Sequence, residues 1–381
     1  MRNTWDIFCK VIDNYGDIGV AWRLARQLAN EYPFTVRLWV DDLSVFKRLW
    51  PEIRADAETQ YLEGVEVRAW SEPFLPANPT EVVIEAFGCA LPQVYLASMS
   101  TQSRAPVWIN LEYLSAEAWV KTHHGLPSPH PRLPLSKFFF FPGYEPGTGG
   151  VLCERDLARC RERFQLEETS AWWQGLGLES PLPSDLRVSL FAYESAAWEE
   201  LFDAWVKGSQ RVTCLIPEGS LVSQIAAWLG EAALPVGAVS RRGNLELCIL
   251  PFLNQDDYDR LLWACDINFV RGEDSCVRAQ WAQKPFVWQA YPQAENAHWA
   301  KLDALNRCYV QGLLQREAEA ITGLWRGWNG RGYPANAWLA FVNARREIDA
   351  HAQKWAGRLA EPGDLAANLV AFVADGQAGL K

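Results

Sequence analysis

Arg271-Gly272-Glu273-Asp274-Ser275 puts a cation, a flexible turn residue, two acids and a hydroxyl side by side. The apolar run Ile267-Asn268-Phe269-Val270 leads into it and Cys276-Val277-Arg278-Ala279-Gln280-Trp281 leads away in a helical pattern. The stretch therefore reads as strand, tight turn and helix start. In an open α/β sheet, groups at the carboxyl end of a strand meet the ligand. The N–H groups and dipole of a new helix favour an anion there, and Arg271 adds a planar fork of donors suited to phosphate. This makes the stretch a candidate nucleotide-diphosphate site. Acids in a first helical turn also have a purely structural use, since they complement the helix dipole.

A second polar cluster, Asp13 and Asp17, follows the first apolar run of the chain. Paired carboxylates can act as a base or grip a cation. Equally, Asp17 stands where an N-cap belongs, and Asp13 can hydrogen-bond turn amides. Tyr193 and Gln255 stand at further strand ends. Carboxylates on one side of a cleft and an anion-binding helix start on the other suit group transfer from an activated phosphate donor. Asp41-Asp42 and Asp256-Asp257 could suggest a divalent ion, but Arg271 and a helix dipole supply the needed positive charge, so no metal is expected. G-x-G-x-x-G, P-loop, H-E-x-x-H and G-x-S-x-G patterns do not occur, which lowers the dehydrogenase, NTPase, zincin and α/β-hydrolase readings.

The elements that must position these residues alternate strand with helix. Ile7–Ile12, Thr35–Val40, Val65–Trp70, Val82–Phe87 and Val107–Asn110 read as buried parallel strands. Ala21, Leu24, Ala25 and Leu28 mark the apolar face of the first helix. Lys121 to Gly150 is loop-rich, with Phe138–Phe141 read as a last strand. His123, His124 and His130 there lack the spacing of metal ligands. Residues 153–180 read as a connecting helix. The rhythm restarts with strands at Leu186–Phe191, Arg211–Ile216, Leu245–Leu250 and Phe286–Trp288, and a turn at Tyr193-Glu194-Ser195. After about residue 295 the pattern is helical, ending in an amphipathic helix at Leu365–Val373. This β–α alternation gives two α/β halves with parallel sheets.

With 381 residues, the chain exceeds what one core usually supports. Its 49% hydrophobic and 22% charged composition is that of a folded protein. Lys plus Arg total 36 against 46 Asp plus Glu, a net charge of −10, which argues against nucleic acid as a partner. Nine scattered cysteines and the lack of a secretory or membrane-spanning stretch point to reduced thiols, a cytoplasmic home and no membrane. The 20 tryptophans could serve the cores or stack on sugars.

Val11-Ile12-Asp13-Asn14-Tyr15-Gly16-Asp17-Ile18-Gly19-Val20-Ala21-Trp22-Arg23-Leu24-Ala25-Arg26, Leu250-Pro251-Phe252-Leu253-Asn254-Gln255 and the Arg271–Ser275 stretch resemble the elongation factor P arginine rhamnosyltransferases, and the resemblance covers essentially the whole chain. It implies a GT-B glycosyltransferase fold, two Rossmann-like domains facing across a cleft. The domains would be 1–150 plus 361–381 on the acceptor side and 184–345 on the nucleotide-sugar side, joined by a linker helix at 151–183 and a return linker at 346–360. It implies inverting transfer of L-rhamnose from dTDP-β-L-rhamnose to an arginine of translation elongation factor P, by a monomer without cofactor. That modification supports translation through proline stretches. Asp17 would be the catalytic carboxylate, supported by Asp13 and Glu273. Tyr193, Arg271, Asp274 and Ser275 would hold the deoxyribose-diphosphate, with Phe252 and Gln255 near the thymine. Other readings stay open: another nucleotide-sugar, a small-molecule or lipid acceptor, or a two-domain nucleotide-binding protein without activity.

Overall fold

The computed structural model describes residues 3–12, 15–178, 185–194 and 196–378. The chain divides into two compact units, Met1–Arg155 with Leu359–Lys381 and Asp156–Arg358. Residues 156–175 and 346–358, read from sequence as connectors, thus cluster with the second unit. The expected connecting helix runs as Leu157–Arg163, one π-helical turn Phe164–Glu168, and Thr169–Gly175.

In the first unit the strands are β1 (Thr4–Cys9), β2 (Thr35–Val40), β3 (Thr59–Leu62), β4 (Val65–Ala69), β5 (Val82–Ala86), β6 (Val107–Leu111), β7 (Pro127–Pro129) and β8 (Ser136–Phe140). They form one sheet in the order β3-β4-β2-β1-β5-β6-β8-β7. Pairing is parallel except at the two edges, where β3 runs against β4 and β7 against β8. The first helix, Gly16–Glu31, buries Ala21, Leu24, Ala25 and Leu28, the face its spacing predicts. Phe8, Trp39, Trp70, Tyr95 and Trp108 share one buried cluster.

β1 ends at Cys9 rather than at Ile12. Beyond it the Val11 N–H donates to Asp41 Oδ1 at 2.9 Å and the Ile12 N–H to Asp17 Oδ2 at 2.9 Å, so the backbone leaves the ladder for side-chain partners. Ile12 is 70% exposed. The Phe138–Phe141 run lies in the strand β8, Ser136–Phe140, which ends one residue before Phe141. Phe138 and Phe140 pack edge-on against Phe372 of the last helix, Leu365–Ala378, at 5.7 and 5.5 Å. Phe138 and Phe140 therefore serve packing within this unit.

In the second unit, β9 (Leu186–Leu190), β10 (Val212–Pro217), β11 (Val239–Arg242), β12 (Leu245–Leu250), β13 (Ile267–Arg271) and β14 (Phe286–Gln289) form a sheet in the order β11-β12-β10-β9-β13-β14. Only the β11 edge is antiparallel among these described strands. Trp205, Phe269, Trp328 and Trp338 interlock in its core, so these tryptophans are packing residues. Ser195, expected in the turn after β9, lies outside the described residues.

Candidate active site

Each sheet has one place where the strand order reverses. In the first, the chain fills β2 and β4 on one side of β1, then β5 and β6 on the other. In the second it fills β10 and β12 on one side of β9, then β13 and β14 on the other. Loops at the carboxyl ends of the strands flanking such a switch point diverge and leave a crevice that ligands use. Asp17 follows β1, Tyr193 follows β9, and Arg271 ends β13. Asp17, Tyr193 and Arg271 thus lie at the carboxyl ends of strands at the two switch points.

In the first unit, Asp17 lies in the first turn of the helix Gly16–Glu31, whose N-cap is Tyr15, so Asp17 is not the cap its position suggested. Its side chain accepts from the Ile12 N–H on Oδ2 and from the Tyr113 hydroxyl on Oδ1, each at 2.9 Å. Asp17 is 1% exposed. Burial, and then the charge of Asp17, push the neighbouring Cys9 thiol well above its ordinary range, so it stays a neutral thiol. Asp13 lies outside the described residues. Asp42 caps the helix Leu43–Leu49, accepting from the Ser44 and Val45 N–H groups. That capping, with the Asp41–Val11 bond, gives this acidic pair a structural use.

In the second unit, β13 delivers Arg271, and Gly272 turns the chain with φ +67°, a conformation glycine adopts without the Cβ penalty. Glu273 is the N-cap residue of the helix Asp274–Trp281. The turn is pinned from β14: the Trp288 indole N–H donates to the Gly272 carbonyl at 2.8 Å, and the Gly272 N–H donates to the Gln289 carbonyl at 3.3 Å. The Ser275 hydroxyl donates to the Arg271 carbonyl. The Arg271 guanidinium lies 4.3 Å from the ring centre of Phe191 and 4.4 Å from that of Tyr193. Tyr193 is fixed by its own N–H, which donates to Gln289 Oε1 at 2.7 Å, and by an edge-on contact with Tyr291 at 5.4 Å.

Gln255 opens the helix Gln255–Ala264 and donates through Nε2 to Asp274 Oδ2 at 3.2 Å, which ties that helix start to the Arg271 turn. Phe252 is partly buried on the connection that leads from β12 to this helix. Asp257 accepts from Arg260 at 2.7 Å and its N–H donates to the Asn254 cap at 2.8 Å, again a structural use. Burial, with Asp274 adding to it, pushes the Tyr258 phenol far up, so it remains protonated beside Ser275 and Arg271. Arg271, Glu273, Asp274, Ser275, Tyr193 and Gln255 are therefore one connected group, and Asp17 belongs to the other unit. Phe191, Tyr291 and Tyr113 were missed from sequence. The signal for Phe191 was present, since it directly follows β9, the strand at the switch point of the second sheet.

The sequence matches, over residues 5–374, the family described as Elongation-Factor P (EF-P) rhamnosyltransferase EarP. This chain belongs to that family. A protein-arginine rhamnosyltransferase of Pseudomonas putida is 50% identical over 374 residues, covering 98% of this chain and 99% of that protein. A solved structure described as the structural basis for EarP-mediated arginine glycosylation of translation elongation factor EF-P is 37% identical, with a TM-score of 0.70, covering 98% of this chain and 99% of its own. A glycosyltransferase structure from Rickettsia africae is 12% identical with a TM-score of 0.54, covering 100% and 99%, a likeness of fold alone. The two-sheet α/β architecture is that of the GT-B glycosyltransferases.

Proposed function

We propose that this chain transfers L-rhamnose from dTDP-β-L-rhamnose to an arginine side chain of translation elongation factor P, with inversion, in the cytoplasm, as a monomer and without a metal. The observation that carries the reading is the Arg271–Ser275 strand–turn–helix, in a chain whose relatives are named protein-arginine rhamnosyltransferases. A guanidinium stacked between Phe191 and Tyr193 at the start of a helix suits a nucleotide diphosphate. As the glycosidic bond breaks, Arg271 and that helix start carry the charge gathering on the leaving diphosphate. Gln255 and Phe252 take the base end of the nucleotide, and Glu273 supports the reacting centre.

The acceptor poses the harder problem. Removing a proton from a guanidinium at neutral pH costs about 8 kcal/mol, because its pKa exceeds 12. A carboxylate therefore does not act as a base in advance. Asp17 and Asp13 instead grip the guanidinium, polarise one nitrogen, and Asp17 accepts its proton late, after the sugar has become cationic. Attack from the face opposite the diphosphate inverts the anomeric centre.

The deciding experiment is the intact mass of elongation factor P after incubation with this protein and dTDP-β-L-rhamnose. A gain of one deoxyhexose, mapped to an arginine, is expected. Tight dTDP binding with no gain in mass would make the chain a nucleotide-binding protein instead.

A further inference from the structure

We propose that Tyr113 is a positioning residue for Asp17, with Phe87 fixing Tyr113 in its turn; this rests on the reading of Asp17 as the carboxylate that meets the acceptor. Phe87 follows β5, which pairs with β1 at the switch point of the first sheet, and Tyr113 follows β6, the next strand out. Tyr113 donates its hydroxyl to Asp17 Oδ1 at 2.9 Å. Its ring lies on Phe87, centroids 4.5 Å apart and planes 19° off parallel.

The turn that presents Phe87 is strained. Phe87 has φ +56° and Ala90 φ +55°, the left-handed region that residues with a Cβ rarely occupy, with Gly88 between them at φ +64°. Such conformations persist where their surroundings over-determine them, and they gather at functional sites. Here the Phe87 N–H donates to the Leu111 carbonyl at 2.7 Å and the Ala90 N–H to Glu85 Oε1 at 3.1 Å. The Cys89 thiol adds a contact to the Phe8 carbonyl at 3.3 Å. The strained backbone sets the Phe87 ring against Tyr113, and the stack holds the ring that carries the Tyr113 hydroxyl.

The consequence for Asp17 is geometric. A carboxylate offers about four lone-pair directions on two oxygens. Donors to both oxygens, the Ile12 N–H on Oδ2 and the Tyr113 hydroxyl on Oδ1, fix the plane of the group. A cation that must be gripped in one orientation needs such a fixed plane, since a small misplacement of a reacting group is costly. A tyrosine that only filled space would make the ring stack without the hydroxyl bond.

Tyr113→Phe keeps the stack and removes the bond. With elongation factor P and dTDP-β-L-rhamnose, kcat is expected to fall roughly 10- to 100-fold while the KM of each substrate and the melting temperature stay near wild type. Asp17→Asn/Tyr113→Phe should be no slower than Asp17→Asn alone in single-turnover mass assays, because a residue acting through Asp17 has nothing left to position. Wild-type kcat in Tyr113→Phe, with Asp17→Asn impaired, overturns the role of Tyr113. Losses that multiply in the double variant, or a lowered melting temperature with raised KM, also overturn it. Wild-type turnover in Asp17→Asn would instead remove the underlying reading of Asp17.

Discussion

Arg271 shows why residue type matters more than charge at this site. Its guanidinium faces two rings, Phe191 and Tyr193, within 4.4 Å. Cation–π contacts of this kind contribute about 0.5–2 kcal/mol each, and only the planar fork can stack and still present two parallel donors to a phosphate. Arg271→Lys keeps the charge and loses both properties. Its affinity for dTDP, measured by calorimetry, is expected to drop about 10-fold or more, with kcat reduced as well because the leaving group is less well held. Unchanged affinity would mean that Arg271 acts as a point charge or does not meet the nucleotide. The identity of this residue and of Glu273, Asp274 and Ser275 was legible from the sequence, because a strand–turn–helix with a glycine in the turn is a local pattern. Of the two rings around Arg271, Tyr193 was legible as a strand-end residue, whereas the place of Phe191 beside Arg271 follows only once β9 is known to pair with β13.

At the scale of elements, the strands legible from sequence are those buried on both faces. Thr35–Val40 and Leu245–Leu250 form with the expected bounds, because a continuous apolar run is what a parallel strand between two helix layers requires. β3, β7 and β11 lie at sheet edges, pair antiparallel and carry polar residues or proline, so no apolar run announces them. The phenylalanine run had the opposite ambiguity: a strand and an exposed patch look alike until the partner is known. The partner is Phe372, far along the chain. Phe372→Ala is expected to destabilise the protein by about 2 kcal/mol, less than a fully buried phenylalanine because the ring is only partly covered. Chemical denaturation followed through the tryptophans would read it. No measurable loss would mean that the last helix contributes little to the first unit.

At the scale of the whole molecule, the chain leaves its first unit near Arg155 and returns to it at Leu359, so residues far apart in sequence must meet at one seam. Val151 pairs with Asp364 as an isolated parallel bridge. Gln27 Nε2 donates to both the Cys153 carbonyl at 2.8 Å and Asp364 Oδ1 at 3.1 Å, and Asn368 Nδ2 donates to the Gly149 carbonyl at 3.1 Å. Gly150 sits inside this seam with φ +72°, and a Cβ there would lie 2.1 Å from the Gly363 carbonyl oxygen and 2.8 Å from Asn368 Nδ2. From sequence, Gly-Thr-Gly-Gly at 147–150 could be read only as turn punctuation, because the crowding comes from a segment more than 200 residues away. Gly150→Ala therefore combines a left-handed backbone cost of about 1–2 kcal/mol with a clash against backbone that has no flexible end to move. A total loss of about 3 kcal/mol or more is expected, lowering the melting temperature by roughly 6–12 °C. The described donor-side residues all belong to the second unit, so dTDP affinity measured well below that transition should stay near wild type. A variant that melts normally would show that the seam yields. One that loses nucleotide binding in proportion to its stability would show that the two units do not carry their functions separately.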